Sequence, residues 1–154
     1  MSEIKIGNKE YMKSAEMQAV AEKIVSDKSI SIGDARIKYL LIYPYINKKT
    51  AGRCLKSSNE MKVFGQCEYI IEMSGELWDN LDDERKSILM YHELLHILVT
   101  TNKAGEFEYK LRDHDIKDFA TIINTYGIDW FDNLKTIFSS VYDVEPADLD
   151  SFSV

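Results

Sequence analysis

The chain has 154 residues, a formal net charge of -7, two cysteines and two prolines. That length suits one domain spanning 1–154 with a core that needs no crosslinks, and the acidic balance disfavours a protein whose affinity comes mainly from wrapping nucleic-acid phosphates or anionic lipid. A composition of 45% hydrophobic and 29% charged residues gives no case for wholesale disorder, and no apolar run approaches the length of a membrane-spanning helix.

In chain order, the first readable element after a polar start is SAEMQAVAEKIVSD, which places Met17, Val20, Ala21, Ile24 and Val25 on one side of a 3.6-residue period with Ser14 as its cap. The segment IGDARIKYLLIYPY predicts a short helix or turn, then a strand from about Lys38 into Pro44. TAGRCLKSSNEMKVFGQCEYIIEMS predicts two strands, around Gly52 to Lys56 and Tyr69 to Met73, separated by a polar turn at Ser57 to Glu60. LDDERKSILMYHELLHILVT reads as one long helix capped by Asp82, with Asp83 and Glu84 in its first turn. AGEFEYKL alternates around Phe107 and Tyr109 as a strand or loop does. A helix capped by Asp113 or Asp115 then runs through Ile116, Phe119, Ile122 and Ile123 to a stop at Gly127. A short helix near Trp130 to Phe138 precedes an acidic tail at 143–154.

Cys54 and Cys67 match no cysteine-based zinc pattern and no disulfide framework, and the N-terminus lacks the apolar stretch of a secretory signal. The expectation is a soluble protein that stays inside a cell, with no membrane association.

The stretch YHELLHI carries the chemistry. Residues four apart share a helix face, so His92 and His96 aim their imidazoles at one point with Glu93 beside them. Neutral imidazoles are good ligands for Zn2+, and two of them on a helix leave room for a third protein ligand and a water. Glu93 is then placed to take the water's proton as general base and return it to a leaving amine. The plainer reading, two satisfied histidines in an apolar helix, is weakened by the surrounding run of Ile88, Leu89, Met90, Leu94, Leu95, Ile97 and Leu98, which would bury both rings.

The remaining histidine, His114 in LRDHDIKDF, is the natural third ligand if the chain turns back across the helix end. Asp113, Asp115, Glu106 and Glu108 are the alternatives. Asp113 and Asp115 also suit a supporting role, with Asp115 either capping a helix or accepting a hydrogen bond from a ligating imidazole.

WDNLDDERKSILMYHELLHI followed by LRDHDIKDFATIINTYGIDW resembles the phage metallopeptidase family, with a more distant likeness to the SprT-like metalloproteases, and the resemblance reaches from the helix around Ala15 to about Trp130. It implies a compact minimal zincin-like fold of the α+β class, in which a small mixed β-sheet packs against the helix bearing the motif. It further implies Zn2+ held by His92, His96 and His114, Glu93 as catalytic base, a protein or peptide substrate, and a place of action in the cytoplasm, the host's if the gene is carried by a phage. Asp113 stands where such relatives commonly have proline, which loosens the loop presenting His114.

Tyr109 lies near His114 in sequence and is a candidate hydrogen-bond donor to the oxyanion of peptide hydrolysis, although packing is its commoner role. Tyr91, Trp78 and Trp130 are expected to pack. Gly52 permits a bend or close strand packing, and the positive run of Lys48, Lys49, Arg53 and Lys56 allows a weak nucleic-acid association. The competing functional class is a noncatalytic zinc-stabilised interaction protein. Its metal shell would be closed by a fourth protein ligand such as Asp113, Asp115 or Cys54.

Overall fold

The computed structural model describes residues 3–113, 120–127, 129–145, 148–149 and 152–154. The polar start, for which no element was expected, forms a hairpin of β1 (Glu3–Ile6) and β2 (Lys9–Lys13). Gly7 at φ 61 makes the turn, a backbone region that costs glycine nothing. Ser14 then starts α1 (Ala15–Asp27), its hydroxyl accepting the Met17 N–H at 3.1 Å, and the helix buries Met17, Ala21 and Ile24 along one face.

A turn through Gly33 and Asp34 leads into β3 (Ile37–Tyr43), followed by β4 (Gly52–Lys56) and β5 (Tyr69–Ser74). The polar connection expected between the last two contains a helix, α2 (Asn59–Gly65). Ser58 caps it through Met61 N–H, and Gln66 closes it in the left-handed conformation. The Ser58 cap is legible in the sequence, but the seven residues of α2 are too few to show a helical period, and its apolar Met61, Val63 and Phe64 stay exposed.

The five strands make one sheet in the order β1-β2-β3-β5-β4. β3 and β5 run parallel from Ile37↔Tyr69 to Ile42↔Ser74, and the other pairs are antiparallel. Glu68 ties the starts of the two parallel strands together, accepting from the Arg36 backbone N–H at 2.6 Å and from its guanidinium at 3.2 and 2.7 Å.

After α3 (Gly75–Asp79), Asp82 caps α4 (Asp83–Leu94) by accepting the Arg85 N–H at 2.9 Å. The long helix expected through Thr100 ends early: α4 stops at Leu94, and Ile97–Thr101 is strand β6, paired antiparallel with β7 (Phe107–Leu111). The residues ILVTT are rich in β-branched side chains, which suit a strand better than a helix. The Asn102–Glu106 turn supplies their partner strand, with Asn102 N–H donating to the Glu106 carbonyl at 2.9 Å. The buried Tyr69 hydroxyl reaches across to the carbonyls of Leu98 (3.3 Å) and Lys110 (2.7 Å), docking this hairpin on the large sheet.

α5 (Ala120–Tyr126) ends at Gly127, as its glycine predicts. α6 (Asp129–Tyr142) is longer than expected, burying Trp130, Leu134 and Phe138. The fold is therefore of the α+β class, a mixed sheet packed against helices. Its core joins α1 (Met17, Ala21), the inward faces of β3 and β5 (Leu41, Ile71, Met73), α4 (Leu89, Met90, Leu94) and α6 (Phe138). Trp78 is fully buried in the same core and donates its indole N–H to Glu16 at 2.6 Å. No helix of the described residues is long and apolar enough to cross a membrane.

Candidate metal centre

α4 delivers His92 and Glu93 in its last full turn, both wholly buried, because the apolar face that carries them is pressed into the core by Leu89, Met90 and Leu94. The helix then tightens: Leu95 N–H donates to the Tyr91 carbonyl at 3.0 Å and His96 N–H to the Glu93 carbonyl at 3.1 Å. His96 therefore sits one residue beyond the helix cap, yet the spacing of a helical turn is kept. The two imidazole centroids are 5.2 Å apart. One ligand atom from each of His92, Glu93 and His96 lies within 4.8 Å of the others.

The hairpin fixes His96 from the other side. Arg112 N–H donates to the His96 carbonyl at 2.7 Å, and the Arg112 carbonyl stands 2.8 Å from His96 Nδ1. A carbonyl only accepts, so in the neutral ring Nδ1 carries the hydrogen and the lone pair belongs to Nε2, which lies 3.9 Å from Glu93 Oε1. Burial holds the His96 imidazole below the ordinary histidine range, with His92 acting in the same sense. The Arg112 carbonyl, Asp113 and the backbone of Val154 oppose it. The neutral ring is the form that binds metals. Two imidazoles so gathered fit a divalent ion of borderline softness such as zinc, with the Glu93 carboxylate beside it.

The walls come from residues far away in sequence. Gly52, at the start of the edge strand β4, lies directly against the Glu93 carboxylate. Cys54, also on β4, is half-buried; burial pushes its thiol up, and the Glu93 charge adds to the effect. Trp130 of α6, expected only to pack, stands 5.8 Å from the His92 ring.

Comparison with protein families places residues 9–142 on the family model described as Putative phage metallopeptidase. The chain belongs to that family. The match spans both the α4 cluster and the sheet that walls it, so the metallopeptidase assignment covers the whole site. No curated protein and no solved structure matches the chain.

Other expected site residues of the metallopeptidase are placed as follows. His114 and Asp115 lie outside the described residues. Asp113 is exposed, one residue beyond the carbonyl that holds His96. Tyr109 directs its hydroxyl to Asp34, which pushes the phenol up to about 12, and its ring stands edge-on to Tyr69 at 6.3 Å. Tyr91 is buried and packs, as expected. Arg53 is paired with Glu72, and Lys48, Lys49, Arg53 and Lys56 of the basic run are all exposed. Sequence reading missed the Arg112 carbonyl and the contact of Trp130 with His92. The former is a backbone atom with no residue-type signal, and the latter depends on how α6 packs.

Proposed function

We propose that the protein is a zinc-dependent endopeptidase in which His92, His96 and His114 hold the metal and Glu93 is the general base. The observation that carries this reading is the gathering of His92, Glu93 and His96 donor atoms within 4.8 Å of one another, with His96 oriented by the Arg112 carbonyl. Bound there, zinc supplies a Lewis acid that polarises a peptide carbonyl and acidifies water.

The residues of this chain do the rest. Glu93 takes a proton from the attacking water as its oxygen bonds to the carbonyl carbon, then delivers that proton to the amine nitrogen as the C–N bond breaks. The buried surroundings of Glu93 and His92 keep bulk water from screening that transfer. Asp113 and Asp115 support the ligands from outside the first ring of contacts. Tyr109 is the proposed donor to the oxyanion, a role that requires its hydroxyl to leave Asp34. The cytoplasm of a phage host is the proposed place of action, a reading supported by the free thiols of Cys54 and Cys67. Any weak nucleic-acid association falls to Lys48, Lys49, Arg53 and Lys56.

The test is metal content by elemental mass spectrometry on the wild type and on His114→Ala, purified without added metal. About one zinc per wild-type chain, sharply reduced in the variant, is expected for this shell. A full complement in His114→Ala removes His114 from it, and a wild type that takes up no zinc on reconstitution overturns the reading.

A further inference from the structure

We propose that residues 152–154 occupy the place of a peptide substrate, so that the enzyme carries its own occupant of the cleft and Phe152 marks a subsite for an aromatic side chain. The inference rests on the peptidase reading above.

The segment meets the molecule where a substrate would have to pass. Ser153 forms an isolated parallel bridge with Thr50, made by Ala51 N–H to the Ser153 carbonyl at 2.8 Å and Ser153 N–H to the Lys49 carbonyl at 2.7 Å. The hydroxyls of Thr50 and Ser153 are 2.9 Å apart. Residues 49–51 lead straight into Gly52, which lies on the Glu93 carboxylate. A backbone in strand register thus runs beside the approach to the edge strand, the course of a peptide recognised by strand addition.

The side chain that precedes this contact is anchored. Phe152 is 7% exposed and packs edge-on to Phe138 at 5.0 Å and to Phe131 at 5.6 Å. Phe131 in turn meets Trp130 at 6.3 Å, the residue against His92. A relay of aromatic contacts therefore runs from Phe152 through Phe131 and Trp130 to His92. This occupant lies beyond residues 9–142, the part of the chain that the family match covers.

Two preparations test the proposal: a variant lacking residues 152–154, checked for folding by circular dichroism, and full-length Ser153→Pro, which removes the N–H that donates to Lys49. The probe is a fluorescently labelled, amide-capped peptide with the sequence of residues 150–154 (DSFSV), so that binding does not depend on a terminal carboxylate. We expect both variants to bind it at least about tenfold more tightly than the unaltered chain does, about 1.4 kcal/mol. Replacing the phenylalanine in the peptide by alanine should abolish that gain. Turnover of denatured casein should rise in both variants, and the peptide should inhibit it competitively. Peptide binding without any hydrolysis sustains the occupant and sinks the peptidase reading instead. Equal peptide affinity in Ser153→Pro and the unaltered chain overturns the proposal, whether or not the shortened variant folds.

Discussion

Gly52 and Glu93 face each other across the junction of sheet and helix. A methyl group at Gly52 would stand 3.1 Å from Glu93 Oε2 and 2.6 Å from Met73 Sδ, with the Glu72 carbonyl at 3.3 Å. Gly52→Ala is therefore expected to displace both side chains. A loss of about 1–3 kcal/mol is the usual consequence of such overpacking, read as a lowered urea midpoint. The fall in kcat should exceed what the loss of folded protein explains, because the carboxylate itself is moved.

Glu93→Gln keeps the shape of the side chain but cannot accept the proton. The variant should retain wild-type metal content while kcat falls by about 10²–10⁴, the usual contribution of a positioned general base. His96→Ala should lose both metal and turnover. Wild-type rates in Glu93→Gln on a verified peptide would remove Glu93 from the chemistry.

The backbone at Arg112 orients His96 from both of its polar groups. Arg112→Pro deletes the N–H that holds the His96 carbonyl and shifts the carbonyl that holds Nδ1, whereas Arg112→Ala removes only the side chain. Metal affinity measured by competition with a chromogenic chelator should drop about 10–100-fold more in the proline variant, the range typical for losing such an orienting partner.

The ion pair at the head of the sheet governs acid stability. Arg36 beside Glu68 holds the carboxylate below its ordinary value of 4.5, so the folded state binds that proton less readily than the unfolded chain. The stabilisation is present above pH 4.5 and drains away as pH falls from there through the depressed folded value. Glu68→Gln should cost about 1–3 kcal/mol at pH 7, the lower part of that range being favoured because the Arg36 side chain is 55% exposed. The deficit should shrink when thermal unfolding is repeated near pH 3.

Elements with a period or a cap were legible. α1 announced itself through Ser14 and its apolar stripe, β3 through IKYLLIY, and the start of α4 through Asp82. The cluster of His92, Glu93 and His96 was legible for another reason: its spacing is set by one turn of helix, which survives even though α4 ends before His96. What escaped was non-local. Nothing in ILVTT states that a partner strand at 107–111 will draw it out of the helix, since the preceding run is apolar enough to continue either way. The exposed α2 and the β1–β2 hairpin bury little, so their sequences carry little pattern.

The change from helix to strand at His96 makes the two histidines belong to different parts of the molecule. His92 moves with α4 and the core, whereas His96 moves with a two-stranded hairpin held to the large sheet through the Tyr69 hydroxyl. An ion shared by both would act as a rivet between helix and hairpin, and its binding energy would become energy that seats the hairpin. Seating the hairpin and assembling the catalytic ligands are then one equilibrium, and a chelator that strips the ion would free the same segment that presents His96.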